Sequence, residues 1–182
     1  MKVIIEGTDG VGKSSVCQPL AQSFQDKQMF SVFNNEVVPF PMEFLDREKT
    51  VVSANMLFDI SDEVRVANIT KYLAENDAVI LFMVNNDGEE LLRRIHERGN
   101  VDKDFDLDAP KYNELYLKTF RQLAENKDLD GRIALCDVTD LDKEESFHLV
   151  SYQLWRILSL RGMREKVCIG SGIKQFLNPV EK

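Results

Sequence analysis

Gly7-Thr8-Asp9-Gly10-Val11-Gly12-Lys13-Ser14 is the stretch on which the reading of this chain turns. It matches G-x-x-x-x-G-K-[ST] at every fixed position. On its N-terminal side, Val3-Ile4-Ile5 is a short apolar run of the kind found in a strand buried on both faces. On its C-terminal side, residues 13–28 predict a helix, which Pro19 should kink or deprive of one backbone bond. Strand, glycine-rich turn and helix in that order make a cradle for a phosphate. The glycines let successive N–H groups turn toward one anion, and the helix N-terminus adds positive dipole at the same point. Lys13 is expected to reach the β- and γ-phosphates of ATP, and the Ser14 hydroxyl to hold Mg²⁺. The run from Gly7 to Ser15 is the expected ATP-binding segment.

Outward from this loop the chain alternates strand and helix patterns. Phe30-Ser31-Val32-Phe33 predicts a second strand, and Met42-Glu43-Phe44-Leu45 a third that ends at Asp46. Residues 61–76 carry Val64, Ala67, Ile69, Leu73 and Ala74 at helical spacing. Ala78 to Val84 is the strongest strand, an unbroken apolar run with β-branched Val79 and Ile80. Residues 88–98 and 111–125 predict two helices with an acidic loop between them. Ile133-Ala134-Leu135-Cys136 predicts a strand, and 143–160 a long helix. Beyond Gly162 the pattern weakens. Leu73-Ala74-Glu75-Asn76 and Leu123-Ala124-Glu125-Asn126 are identical but too short to count as a repeat. Strands separated by helices imply an α/β fold with a parallel sheet covered on both faces.

At 182 residues and 20.9 kDa, the length fits a single domain over 1–182. Apolar residues make up 43% and charged residues 30%, an ordinary soluble composition. The 23 basic residues against 31 acidic ones leave a net charge of −8, which argues against non-specific nucleic-acid binding. No apolar run approaches the roughly 20 residues of a membrane span. Met1-Lys2-Val3-Ile4-Ile5-Glu6 is too short and too acidic for a secretory signal. Cys17, Cys136 and Cys168 are odd in number and form no CxxC pair, which reads as reduced thiols in a cytoplasmic protein. Asp102, Asp104, Asp106 and Asp108 alternate as in a calcium loop, but Leu107 replaces the glycine and Asn113 the final glutamate, so that reading is rejected.

Ile5-Glu6-Gly7-Thr8-Asp9-Gly10-Val11-Gly12-Lys13-Ser14 also resembles the opening of thymidylate kinases, whose loop carries an acid at the position of Asp9. The resemblance implies a three-layer P-loop kinase fold, with a central, mostly parallel sheet, flanking helices and a helical lid at about residues 93–112. It implies that Asp9 accepts a hydrogen bond from the acceptor's sugar hydroxyl; the plainer reading is that Asp9 caps the loop or helix. Asp46-Arg47 resembles the family's Asp-Arg-Tyr segment, with Glu48 in place of the tyrosine. Asp46 would then bind Mg²⁺ or handle the acceptor's proton, and Arg47 would clamp the acceptor phosphate. A surface ion pair is the plainer reading of both. Asp77 to Val84, with the helix from Glu89 to Arg98 and then Gly99, resembles the late strand, helix and lid of the family. Arg94 and Arg98 would touch the transferring phosphate. Against this, Glu89–Arg93 and Glu90–Arg94 have the spacing of ordinary helix-surface pairs. Gly131 to Thr139 resembles the last strand, whose following loop lies near adenine. There Asp137 would be a second acid at the phosphates or a helix cap.

Residues 30–76 depart from the family. The 33 residues from Lys13 to Asp46 leave no room for its acceptor-binding helices. Ser53 and Asn55 stand at roughly the place of the family's small polar acceptor-binding residues. The resemblance implies transfer of the ATP γ-phosphoryl group to a (deoxy)nucleoside monophosphate, of the pyrimidine class that includes dTMP, with ATP and Mg²⁺ as cofactors. It further implies a small-molecule nucleotide acceptor, no membrane partner and a homodimer. Two alternatives stay open at this level. One is a P-loop kinase of a hydroxyl acceptor, such as a nucleoside, modified base or nucleic-acid end. The other is a non-catalytic nucleotide-binding relative.

Overall fold

Val3, Ile4 and Ile5 are wholly buried because a strand lies on either side of them and a helical layer covers each face. The structure is a computed structural model, and it describes residues 2–22, 32–33, 51–54, 62–99 and 106–161. In chain order the elements are β1 (Lys2–Glu6), α1 (Lys13–Gln22), β2 (Val32–Phe33), β3 (Val51–Ala54), α2 (Asp62–Glu75), β4 (Ala78–Val84), α3 (Gly88–Glu97), α4 (Ala109–Ala124), β5 (Ile133–Asp137) and α5 (Lys143–Leu160). Short 3₁₀ turns precede α4 and β5.

The five strands form one sheet in the order β2-β3-β1-β4-β5, and every pairing is parallel. Val3 lies opposite Val51 on one side and Val79 on the other. The pleat divides the core in two. Val3, Ile5, Val79, Leu81, Met83, Ala134 and Cys136 face α1 and α5. Ile4, Ala78, Ile80, Phe82 and Val84 face α2 and α4. The unbroken apolar run of β4 is explained by this arrangement, since all seven of its residues are buried. Burial pushes the Cys136 thiol up to about 12, which makes it inert. Among the described residues no helix is long and apolar enough to cross a membrane.

Helix boundaries follow local capping chemistry. The Asp142 carboxylate accepts from the amides of Glu144 and Glu145, each at 2.8 Å, while the Glu145 carboxylate accepts from the Asp142 amide at 2.9 Å. This is a reciprocal cap that starts α5. Asp87 starts α3 by accepting from the Glu90 amide at 3.0 Å. The two Leu-Ala-Glu-Asn segments end α2 and α4, and Leu73 and Leu123 bury into the same cluster. Their asparagines differ in use: Asn76 donates back to the Tyr72 carbonyl, whereas Asn126 accepts from the Asp128 amide.

The sequence expectations hold for β1, β4, β5 and the helices α2 to α5, within a residue or two at each end. Helix α1 runs through Pro19, and its described part stops at Gln22. The third strand expected, at 42–45, lies outside the described residues; the strand beside β1 is Val51–Ala54, which the sequence reading did not include. Val51-Val52 is followed at once by Ser53, so its pattern is too short to stand out. Of the expected lid at 93–112, the end of α3 and the start of α4 are described, and 100–105 are not.

Candidate functional site

The chain leaves β1 at Glu6 and turns through Gly7 to Gly12 before α1 starts at Lys13. Two of the glycines have backbone angles that a side chain rarely adopts: φ is +77° at Gly10 and +98° at Gly12. Gly10 is doubly constrained, because a Cβ there would lie 2.8 Å from the Leu91 carbonyl oxygen and 3.0 Å from Ile95 Cγ1. The loop is therefore pressed against α3. Val11 is buried in the core on the α1 side and anchors the loop from below.

Lys13 closes the loop on itself. Its Nζ donates to the carbonyls of Gly7 at 2.7 Å and Thr8 at 2.9 Å, and the side chain is buried. Burial lowers the pKa of this ammonium; Asp9, Glu6 and Cys17 oppose the shift, and Arg98 adds to it. Ser14 and Ser15 lie exposed in the first turn of α1, where the helix presents its positive end. Ser15 is fixed by its amide, which donates to the Gly12 carbonyl at 3.0 Å.

Arg98 and Asp9 come together across the loop. Arg98 caps the C-terminus of α3, and its Nη1 lies 3.9 Å from Asp9 Oδ1. Both side chains are partly exposed, so the pair can exchange partners with an incoming anion. Arg94 is otherwise engaged. Its Nε donates to Glu90 Oε1 at 2.7 Å, and Nη2 reaches the Leu141 carbonyl at 3.4 Å. Arg93 pairs with Glu90 and Glu97 along the helix surface. Together Arg93 and Arg94 hold the Glu90 carboxyl down at about 2.

At the loop ends of β4 and β5, Asp137 neither caps a helix nor faces the site as a bare acid. It accepts from Asn86 Nδ2 at 2.8 Å and from the Thr139 amide at 3.1 Å, joining the turns that follow the two strands. Ser53 is in β3, paired with Ile5, and β3 ends with Ala54 opposite Glu6. Asn55 is the next residue in sequence. Asn55, Asp46 and Arg47 lie outside the described residues.

Three residues not singled out in the sequence gather behind the loop. Glu6 is wholly buried, and its place in the pleat puts it on the Ile4 side of the sheet. Tyr116 of α4 and Arg65 of α2 are buried on that side, and Arg65 Nη1 approaches Thr119 Oγ1 at 3.5 Å. Burial first, then the Glu6 carboxylate, raises the Tyr116 phenol well above its usual range. A sequence signal for Arg65 existed: it falls on the buried stripe of α2, four residues before Ile69 and seven before Tyr72. Among the described residues no group of three or more His, Cys, Asp or Glu side chains could hold a metal ion by itself.

No protein-family model and no curated protein sequence matches this chain. Its fold is similar to that of a deoxyadenosine kinase from M. mycoides solved with bound dATP. That likeness has a TM-score of 0.50 at 16% identity and covers 85% of this chain and 99% of the other. A thymidylate kinase from Candida albicans is similar at a TM-score of 0.48 and 15% identity, over 89% of this chain and 92% of the other. The chain thus has a P-loop kinase fold, shared with the deoxyadenosine kinase.

Proposed function

We propose that the chain is an ATP-dependent phosphotransferase that moves the γ-phosphoryl group to a (deoxy)nucleoside monophosphate of the pyrimidine class. The observation that carries this reading is the loop from Gly7 to Ser14, closed around Lys13 with Arg98 facing Asp9 across it. The loop amides and Lys13 hold the donor phosphates. Transfer breaks the bond between the γ-phosphorus and the β–γ bridging oxygen. It forms a bond to an oxygen of the acceptor phosphate and releases ADP. The acceptor oxygen is already anionic, so no base is required. Alignment and charge stabilisation therefore do most of the work.

Mg²⁺ fits the exposed Ser14 hydroxyl, a hard oxygen donor at the start of α1. Held there, the ion would supply positive charge that offsets the charge of the donor phosphates. Asp46 is its second proposed protein partner. Arg98 is the proposed cation for the transferring group, with Arg94 behind it. Asp9, Arg47, Ser53 and Asn55 are assigned to the acceptor. Of these, Ser53 lies in β3 opposite Ile5, close to the start of the loop. A cytoplasmic setting and a homodimer go with this reading.

A second reading takes a hydroxyl acceptor, and the likeness to a deoxyadenosine kinase favours it. A hydroxyl must lose its proton, so this chemistry needs a carboxylate base, for which Asp46 and Asp9 are the candidates. A panel of nucleoside monophosphates, nucleosides and oligonucleotides with γ-labelled ATP separates the readings. Label on a monophosphate supports the first, and label on a nucleoside or oligonucleotide supports the second. ATP binding with no labelled acceptor leaves a nucleotide-binding protein without transferase activity.

A further inference from the structure

Asn113 lies on the buried stripe of α4, in the row of Tyr116 and Leu123, where an apolar side chain is the ordinary choice. A polar group is stable in such a place when it is hydrogen-bonded. Asn113 Oδ1 accepts from the backbone amide of Asn85 at 2.9 Å, and both residues are buried. Asn85 is the first residue after β4. Its own Oδ1 accepts from the Asp87 amide at 2.9 Å. Asp87 starts α3, with its carboxylate accepting from the Glu90 amide at 3.0 Å and its carbonyl from the Leu91 amide at 3.1 Å. Gly88 packs at the same junction, where a Cβ would lie 3.2 Å from Pro110 Cβ in the first turn of α4. The start of α3 is thus tied to α4 by a chain of hydrogen bonds and by close packing. Farther along α3, Leu91 and Ile95 are the groups against which Gly10 is pressed, and Arg98 at its end faces Asp9.

We propose that Asn113 is a positioning residue for the phosphate loop: by holding the Asn85 amide it fixes the turn that starts α3, and α3 carries that setting to Gly10 and Arg98. Asn113 acts at a distance, through Asn85 and Asp87. Asn113→Leu keeps the branching of the side chain but removes its acceptor, which leaves the buried Asn85 amide without that bond, so the turn must shift to satisfy it. The next residue limits the shift. The Asn86 amide donates to Thr139 Oγ1 and Asn86 Nδ2 to Asp137 Oδ2, each at 2.8 Å, which ties the turn to the end of β5 and keeps the expected effect modest. A purely structural role for Asn113 changes only how firmly α4 is docked; a positioning role changes the grip of a loop that is still folded.

This inference rests on the triphosphate reading of the loop. The test is equilibrium binding of ATP and of inorganic tripolyphosphate by the wild type, Asn113→Leu, Asn85→Ala, their double variant and Leu123→Ala. It is run at a temperature where melting curves show each protein folded; if Asn113→Leu does not fold, Asn85→Ala carries the test. Asn85→Ala keeps the amide that Asn113 holds and removes the acceptor for the Asp87 amide. Leu123→Ala is the control, since it loses core packing farther along the same stripe of α4 and leaves the hydrogen-bonded path intact. Asn113→Leu and Asn85→Ala are each expected to bind both ligands about fivefold more weakly, within the range for coupling through a packed network. The double variant should be no weaker than the weaker single one, because both changes cut one path. Leu123→Ala should melt at a lower temperature and bind as the wild type does. Wild-type affinity in either folded variant overturns the inference. So does a loss confined to ATP, which would place the effect at the nucleoside, or an equal loss in Leu123→Ala. A wild type that binds neither ligand overturns the triphosphate reading and this inference with it, an outcome distinct from a silent Asn113→Leu.

Discussion

Gly10 and Gly12 both have left-handed backbone angles, yet only Gly10 also lacks room for a side chain. A methyl group at Gly12 would meet nothing within 4 Å, whereas at Gly10 it would press on the Leu91 carbonyl at 2.8 Å. Gly12→Ala therefore carries backbone strain alone, about 1–2 kcal/mol. Gly10→Ala carries that strain plus a displacement of the loop from α3, and should cost more. Thermal melts of the two variants test this; equal losses would show that the contact with α3 does not constrain the loop. At this scale the sequence was most informative where chemistry is local. Loop, lysine and serines could be read from the nine residues Gly7 to Ser15. Tyr116 and Glu6 could not, and Arg65 could be read only as a charge on the buried stripe of α2, because such residues meet their surroundings only when three elements converge. Spacing favoured Arg98 over Arg94, because Glu90 stands four residues before Arg94, and the reach of the two side chains differs in the same sense. Arg94 folds back to Glu90, while Arg98, one turn later, reaches the loop.

Helix α3 illustrates how an element holds a site by its surface chemistry. Its buried side, Leu91 and Ile95, packs toward the core and the loop. Its exposed side is laced by Glu90 with Arg93 and Arg94. The Glu90 carboxyl is held at about 2, below the 4.5 of the free group, chiefly by its hydrogen bonds to Arg93 and then Arg94. A group depressed in the folded state adds stability above its unfolded pKa, and that contribution disappears as the pH falls through the folded value. Glu90→Gln should thus destabilise the protein at pH 7 by less than about 1 kcal/mol, the scale of surface pairs. The difference from wild type should shrink as the pH drops from 4.5 toward 2. Denaturant unfolding at several pH values checks this, and a difference that stays constant with pH would contradict it. Elements with a long period or a long apolar run, such as α3 and β4, were legible in sequence. Strand β3 was not, because its four residues carry too little pattern and its place depends on pairing with β1.

At the scale of the whole molecule, the parallel sheet puts the loop ends of β1, β3, β4 and β5 along one edge, where open α/β folds bind ligands. The central strands hold that edge rigid through a core on either face. Phe82 is wholly buried in β4, with its ring 5.8 Å from that of Phe120 in α4. Phe82→Ala should cost about 3–5 kcal/mol. A denaturation midpoint near that of wild type would mean that this layer carries less of the stability than its burial implies. Strand–helix alternation announced this architecture, but the order of the strands is a long-range property that no local pattern encodes. The central claim concerns the loop at the end of β1, and its most direct measurement is transfer of labelled γ-phosphate from ATP to the acceptor panel by wild type and Lys13→Ala. Transfer by the wild type, with a rate in the variant lower by on the order of 10²-fold or more, is the predicted result. Equal transfer by the two proteins, or no transfer to any acceptor by the wild type, would contradict it.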